Sequence, residues 1–215
     1  MSRGILVALE GLDGAGKRTL VAKVLTHLDA AGVRTATLDF PRYGRSLHAD
    51  IASEALSGAH GDLAESVHAM AVMFAFDRGG AAEELRELLD TNDVVILDRY
   101  VASNAAYGAA RLHQDAAGEF VKWIDDLEYG RFALPVPDMQ WYLEVPVTLA
   151  ESRARNREAN EGRVLDAYER DSDLQTRTAA VYTELAARQW KSPWTVLGAD
   201  SDPSVIAHEI VSLRQ

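Results

Sequence analysis

Five short apolar runs, at residues 5–9, 35–40, 93–97, 139–145 and 194–198, are separated by helical patterns far too long for hairpin turns. A strand that must be followed by a helical crossover pairs in parallel with its neighbours. Parallel strands are in turn covered on both faces. The alternation therefore predicts an α/β fold, a three-layer arrangement with a mainly parallel five-stranded sheet between helices. With 215 residues, 47% of them hydrophobic, and neither repeat nor interdomain linker, residues 1–215 read as a single domain.

The junction after the first run narrows the chemistry. Ile5-Leu6-Val7-Ala8-Leu9 leads into Gly11-Leu12-Asp13-Gly14-Ala15-Gly16-Lys17-Arg18-Thr19, and an amphipathic segment follows to about Ala31, stopping near Gly32. A glycine-rich turn between a strand and a helix lets backbone N–H groups converge on phosphate oxygens, and the helix adds the positive end of its dipole. The spacing G-x-x-x-x-G-K is complete, so Lys17 supplies a point charge to the outer phosphates. Gly11, Asp13, Gly14, Ala15, Gly16, Lys17, Arg18 and Thr19 are the expected nucleotide-binding residues. Arg18 stands where a Ser or Thr hydroxyl usually helps to hold Mg²⁺, and Thr19 comes one residue late.

Composition removes several alternatives. The absence of cysteine rules out disulfides, a thiolate nucleophile and thiolate-bound metal, and the six histidines lack ligand spacing. A formal charge of −11 argues against a nucleic-acid surface, so any anionic ligand must be met by locally clustered positive charge. No apolar run is long enough to span a bilayer, and no signal-peptide pattern opens the chain; a cytoplasmic protein without a membrane partner is expected.

The run at residues 93–97 ends in Asp98-Arg99-Tyr100. Ligands of parallel sheets bind at the carboxyl ends of strands, which places Asp98 and Arg99 beside the phosphate loop, Asp98 within reach of Mg²⁺ and Arg99 of a phosphate. In the tract from Asp62 to about Leu89, read as one long helix, Met70, Phe74 and Arg78 share a stripe, so a flat base can stack on Phe74 while Arg78 addresses a ring carbonyl. Ser103, Asn104 and Tyr107 lie on one turn of a following helix and would offer hydroxyl, amide and phenol to the same cleft.

Asp98-Arg99-Tyr100-Val101-Ala102-Ser103-Asn104-Ala105-Ala106-Tyr107 resembles the D-R-Y-x-x-S-x-x-A-Y signature of the thymidylate kinase family. The phosphate loop, Asp39-Phe40-Pro41-Arg42-Tyr43-Gly44, the Phe74/Arg78 pair and the arginine-rich stretch from Arg153 to Arg163 fit the same family in order and spacing. The resemblance spans residues 5 to about 185. It implies a P-loop kinase fold with a short lid at about residues 151–166, ATP and thymidine monophosphate as substrates, Mg²⁺ as cofactor, and a homodimer whose interface uses the helix beginning near Asp62. It further implies substrate contacts from Asp13, Phe40, Tyr43, Phe74, Arg78, Arg99, Ser103, Asn104, Tyr107, Asp166 and Tyr168, with the last of the pocket residues on α-helical Ser103–Tyr107 crowding the 2′ position of the sugar. Metal contacts are implied for Asp13, Asp98 and Glu169.

An acceptor phosphate with a second pKa near ~6 is already ionised at neutral pH, so its attack needs no general base. Catalysis then rests on alignment and charge neutralisation by Lys17, Arg99, Asp13 and the lid arginines Arg153 and Arg157. The transition-state arginine can come from the loop (Arg18) or from the lid. The competing readings are a P-loop kinase for another nucleotide or nucleoside, a switch GTPase, against which Asp98 is followed by Arg99-Tyr100-Val101 rather than D-x-x-G, and a catalytically silent nucleotide binder.

Overall fold

The apolar runs form β1 (Ile5–Glu10), β2 (Thr35–Asp39), β3 (Val94–Asp98), β4 (Met139–Leu143) and β5 (Trp194–Leu197). The computed structural model describes residues 3–161 and 166–213, with residues 157–161 by backbone alone. The strands make one five-stranded sheet in the order β2-β3-β1-β4-β5, and every pairing is parallel. Register carries Asp39 and Leu9 opposite Asp98 on either side of β3. It carries Glu10 opposite Tyr142. The carboxylates that close β1, β2 and β3 therefore emerge along one edge.

Strand residues alternate between two cores because successive side chains point to opposite faces. Leu6, Ala8, Val95 and Leu97 pack against α4 (Ala82–Thr91), α5 (Val101–Arg111) and α9 (Ser172–Ala187), and Val7, Leu9, Ile96 and Trp141 against α1 (Lys17–Ala30) and α10 (Pro203–Ser212). In α5, every residue from Val101 to Ala110 is buried. Its alanines let α3 (Val67–Gly80), α6 (Glu119–Ile124) and α9 approach on different sides, and a Cβ on Gly108 would run into the Phe120 ring.

The tract expected to run as one helix from Asp62 to Leu89 is instead broken. A single 3₁₀ turn spans Leu63–Glu65, α3 spans Val67–Gly80, and α4 starts at Ala82. Gly79 and Gly80, poor helix formers, end α3 where a side chain would meet the Phe132 ring and the Arg42 guanidinium. Ser66 caps α3 by accepting from the Ala69 N–H. A further helix, α2 (Leu47–Leu56), lies outside the runs picked out from sequence and is capped by Ser46. α6 (Glu119–Ile124) continues as a π-helical turn over Asp125–Arg131. α7 (Val147–Glu161) runs through most of the lid stretch and α8 (Ala167–Arg170) follows it; Arg163 and the side chain of Arg157 lie outside the described residues. Among the described residues no helix is long and apolar enough to cross a membrane.

Candidate active site

The carboxyl edge of the sheet opens into a cleft of about 1560 Å³, larger than the usual small-ligand pocket and roomy enough for two ligands. Its walls include Asp13 to Thr19 of the loop, Phe40 and Tyr43 after β2, Phe74 and Arg78 of α3, Asp98 and Arg99 after β3, and Ser103, Asn104 and Tyr107 of α5. Arg153, Asp166 and Tyr168 complete the set of expected residues on the cleft. Gly11 does not line it; it lies beneath, where a Cβ would come 2.8 Å from the Leu143 carbonyl oxygen.

The loop is shaped by backbone strain that only glycine relieves. Gly14 (φ 81°) and Gly16 (φ 105°) take left-handed conformations, and a Cβ on Gly14 would meet the Ala150 carbonyl of α7. Lys17 is buried and its Nζ donates to the carbonyl oxygens of Gly11 (3.3 Å) and Leu12 (3.1 Å), with Asp98 Oδ1 at 3.9 Å. Burial, and then the charge of Arg99, lower the pKa of this ammonium. Two cations held this close favour the arrival of an anion.

Arg99 takes a left-handed backbone (φ 66°) that turns its side chain back over β1. Its guanidinium donates to Asp13 Oδ1 (2.7 Å) and Ser103 Oγ (3.1 Å) and lies 5.4 Å from the centre of the Tyr107 ring. Tyr107 donates its hydroxyl to the other Asp13 oxygen (3.1 Å). Burial would raise the Asp13 pKa, yet the charges of Arg99 and Lys17 and these hydrogen bonds hold the carboxyl well below its usual range. Asp13, Arg99 and Tyr107 thus form one rigid unit.

Ser103 lies on the wall of the cleft as expected, but its hydroxyl donates to Glu10 Oε2 (2.6 Å), with the Tyr182 hydroxyl at 2.8 Å. The reason is Glu10, which is fully buried at the end of β1 and also accepts from Tyr182 (3.0 Å) and the Tyr100 N–H (2.8 Å). A buried carboxylate needs such donors. Burial pushes its pKa up, against the opposing effects of Ser103, Arg99, Tyr182 and Tyr100. Its place one residue after an apolar run was the available sequence signal.

Glu169 also stands elsewhere than expected. It closes a capping box on α8, accepting from the Asp166 N–H (3.1 Å), and it is not on the main cleft. It shares with Asp13 and Glu151 a small cavity of about 10 Å³, room for one water. Asp98 Oδ1 is buried without a hydrogen bond, and burial followed by repulsion from Asp98 raises the pKa of neighbouring Asp39. Among the described residues no three His, Cys, Asp or Glu side chains are grouped to hold a metal by themselves.

Sequence reasoning missed several lining residues. Arg111 donates to the Tyr168 hydroxyl (2.5 Å) and to the Ala64 carbonyl (2.6 Å), fixing Tyr168 where it stacks on Tyr107. Gly198 to Pro203, between β5 and α10, line the cleft across the sheet from α3 and α5. Arg153 Nη1 donates to the Ala15 carbonyl (2.9 Å), so α7 is latched onto the phosphate loop.

A parallel sheet that presents a glycine loop, a buried lysine and an arginine at its carboxyl edge defines a phosphate-loop α/β protein built to hold phosphorylated ligands. The model of the family described as thymidylate kinase matches residues 9–210. The chain is 57% identical to the thymidylate kinase of Mycobacterium tuberculosis (strain H37Rv), over 94% of this chain and 95% of that protein. It is 32% identical to the thymidylate kinase of Bifidobacterium longum (strain DJO10A), covering 86% and 85%, and 27% identical to a probable thymidylate kinase of Thermococcus kodakarensis, covering 97% and 96%. The chain belongs to the thymidylate kinase family.

Proposed function

We propose that this enzyme, acting in the cytoplasm as one kinase domain, transfers the γ-phosphoryl group of ATP to the 5′-phosphate of thymidine monophosphate, yielding the diphosphate and ADP. One observation carries the reading. The strand order puts β3, with Arg99 and α5, on one side of β1 and β5, with Gly198 to Pro203, on the other, all facing the cleft that the phosphate loop lines. Two nucleotides entering from opposite sides meet phosphate to phosphate over Lys17.

The acceptor oxygen is ionised at neutral pH, so the protein's work is positioning and charge stabilisation. Lys17 and the N-terminus of α1 take the donor phosphates. Arg99, braced by Asp13, takes the acceptor phosphate. Phe74 stacks on the base, and Tyr107, held by Asp13 and Tyr168, fills the space beside C2′. Arg153 is supplied by α7 to the phosphates as the lid closes, and Arg157 and Arg18 complete the cationic set.

Mg²⁺ fits the residues present. It is commonly held by one or two carboxylates with waters and substrate phosphates, and Asp98 Oδ1 is a buried carboxylate oxygen that accepts no hydrogen bond. When bound it neutralises charge on the donor phosphates. With Arg18 in place of a hydroxyl, Asp98, with Asp39 beside it, would hold the ion or its waters.

The enzyme is proposed to act as a homodimer. Support comes from Leu47 (70% exposed) on α2 and Phe76 (41% exposed) on α3, large apolar side chains left to solvent in one chain.

A coupled assay of ADP production with ATP and a panel of nucleoside monophosphates tests the activity. Thymidine monophosphate is expected to have the highest kcat/KM. A higher value for any other acceptor overturns the assignment.

A further inference from the structure

Glu128 is a fully buried carboxylate that does not itself line the cleft. It lies on the π-helical turn that continues α6, a rare geometry that often marks functional positions. Both of its oxygens are engaged by two residues of the cleft wall. Arg78 donates Nε to Oε2 (2.5 Å) and Nη2 to Oε1 (2.7 Å), and Asn104 donates Nδ2 to Oε1 (2.8 Å). Asn104 Nδ2 also donates to the Ala71 carbonyl (2.9 Å).

Two acceptors fix the amide of Asn104 chemically. A carboxylate and a carbonyl both require a donor, so the NH₂ end must face them and Oδ1 is the group left for the cleft. Arg78 is fixed in the same way. With Nε and Nη2 on Glu128, Nη1 makes no hydrogen bond among the described residues and is the donor left for the cleft. The pocket therefore presents one acceptor and one donor in set positions.

We propose that Glu128 is a specificity-determining positioning residue, which imposes this acceptor and donor pattern and so selects a pyrimidine with a ring N–H beside a ring carbonyl. Thymine offers N3–H to Asn104 Oδ1 and O4 to Arg78 Nη1. Cytosine offers the reverse, a bare N3 and an amino group, and meets acceptor with acceptor and donor with donor. The proposal rests on the reading that the thymidylate base occupies the space beside Phe74. Without Glu128 the amide of Asn104 is free to turn over and the guanidinium to swing, and the pocket loses its polarity while keeping its shape.

The test compares kcat/KM for thymidine monophosphate and 5-methyldeoxycytidine monophosphate, which keep the same methyl group and sugar, in wild type and Glu128→Gln. Buried polar mismatches are costly, so wild type is expected to favour thymidine monophosphate by about a hundredfold, and Glu128→Gln to cut that ratio about tenfold or more. The KM for ATP should be unchanged. A folded Glu128→Gln enzyme with the wild-type ratio overturns the role of Glu128, as does a wild-type enzyme that accepts both nucleotides equally. Should Glu128→Gln fail to fold, Glu128→Asp decides on the same ratio, because a carboxylate drawn back by one methylene cannot reach both partners. A wild-type enzyme inactive on thymidine monophosphate overturns the underlying reading as well, whereas a thymidylate-active enzyme whose selectivity survives either folded variant overturns the proposal alone.

Discussion

Tyr107 illustrates how a single side chain serves through two different parts. Its hydroxyl braces Asp13 and its ring, stacked on Tyr168, lines the cleft on the side proposed for the sugar. Removing the hydroxyl in Tyr107→Phe should keep discrimination against 5-methyluridine monophosphate, which differs from thymidine monophosphate at the 2′ position. Removing the ring in Tyr107→Ala should reduce that discrimination by about tenfold or more, since an unpaired hydroxyl costs roughly 1–3 kcal/mol. Ratios of kcat/KM for the two nucleotides check both outcomes. Glu10 makes a residue-scale prediction of another kind. Its folded pKa is raised, so between that value and the ordinary ~4.3 of a free glutamate the folded state binds a proton that the unfolded state does not. Stability in that window rises as pH falls. Relative to the non-titrating Glu10→Gln variant, the wild-type melting temperature should therefore gain as pH is lowered from neutrality towards about 4. A gap that is constant, or that moves the other way, would show that the network of Ser103, Tyr182 and Tyr100 outweighs burial.

At the scale of elements, α5 and α7 carry opposite design problems. α5 is a central helix with neighbours on several sides, which explains its run of small residues. Replacing a helical glycine by alanine ordinarily stabilises by about 1 kcal/mol. At Gly108 the added methyl group would enter the buried Phe120 ring at 2.0 Å, and overpacking of this kind costs about 1–3 kcal/mol. Overpacking wins, so Gly108→Ala should lower the melting temperature and Phe120→Leu should restore part of it in the double variant. α7 is instead an element that reaches over the site, with Arg153 on the Ala15 carbonyl as its latch. In the proposed mechanism Arg153 serves the phosphates mainly in the transition state, so Arg153→Ala should lower kcat more than it raises the KM for thymidine monophosphate. Steady-state kinetics separate this from simple substrate anchoring, which would raise KM at constant kcat.

For the molecule as a whole, the sheet acts as a fixed frame and its carboxyl edge as the working surface. The apolar side chains left on α2 and α3 lie away from the sheet, and a second copy of the chain is the proposed cover. Leu47→Glu should shift sedimentation of the enzyme from dimer towards monomer while leaving the core intact, since Leu47 is 70% exposed in the single chain. An unchanged dimer would place the interface elsewhere.

Much of this architecture was legible in the linear chain because its signals are local. Strand and helix periodicity, the glycine pattern of the loop and the strand-end Asp98-Arg99 pair act within a few residues, and parallel pairing follows from the length of the crossovers. The order of the signature residues also pointed correctly to the family. What the chain could not disclose is who pairs with whom across it. Ser103 turns to Glu10 from 93 residues away and Arg78 and Asn104 turn to Glu128 from 50 and 24 residues away. Such partners are chosen by burial, because a carboxylate enclosed by the packed core must collect the donors that reach it. The break at Gly79-Gly80 has a local signal in two poor helix formers, but the Phe132 ring and the Arg42 guanidinium, which a side chain at these positions would meet, come from distant segments. Local propensity determined the elements and the chemistry available at their ends, and only tertiary packing decided which polar groups face the cleft and which hold their neighbours still.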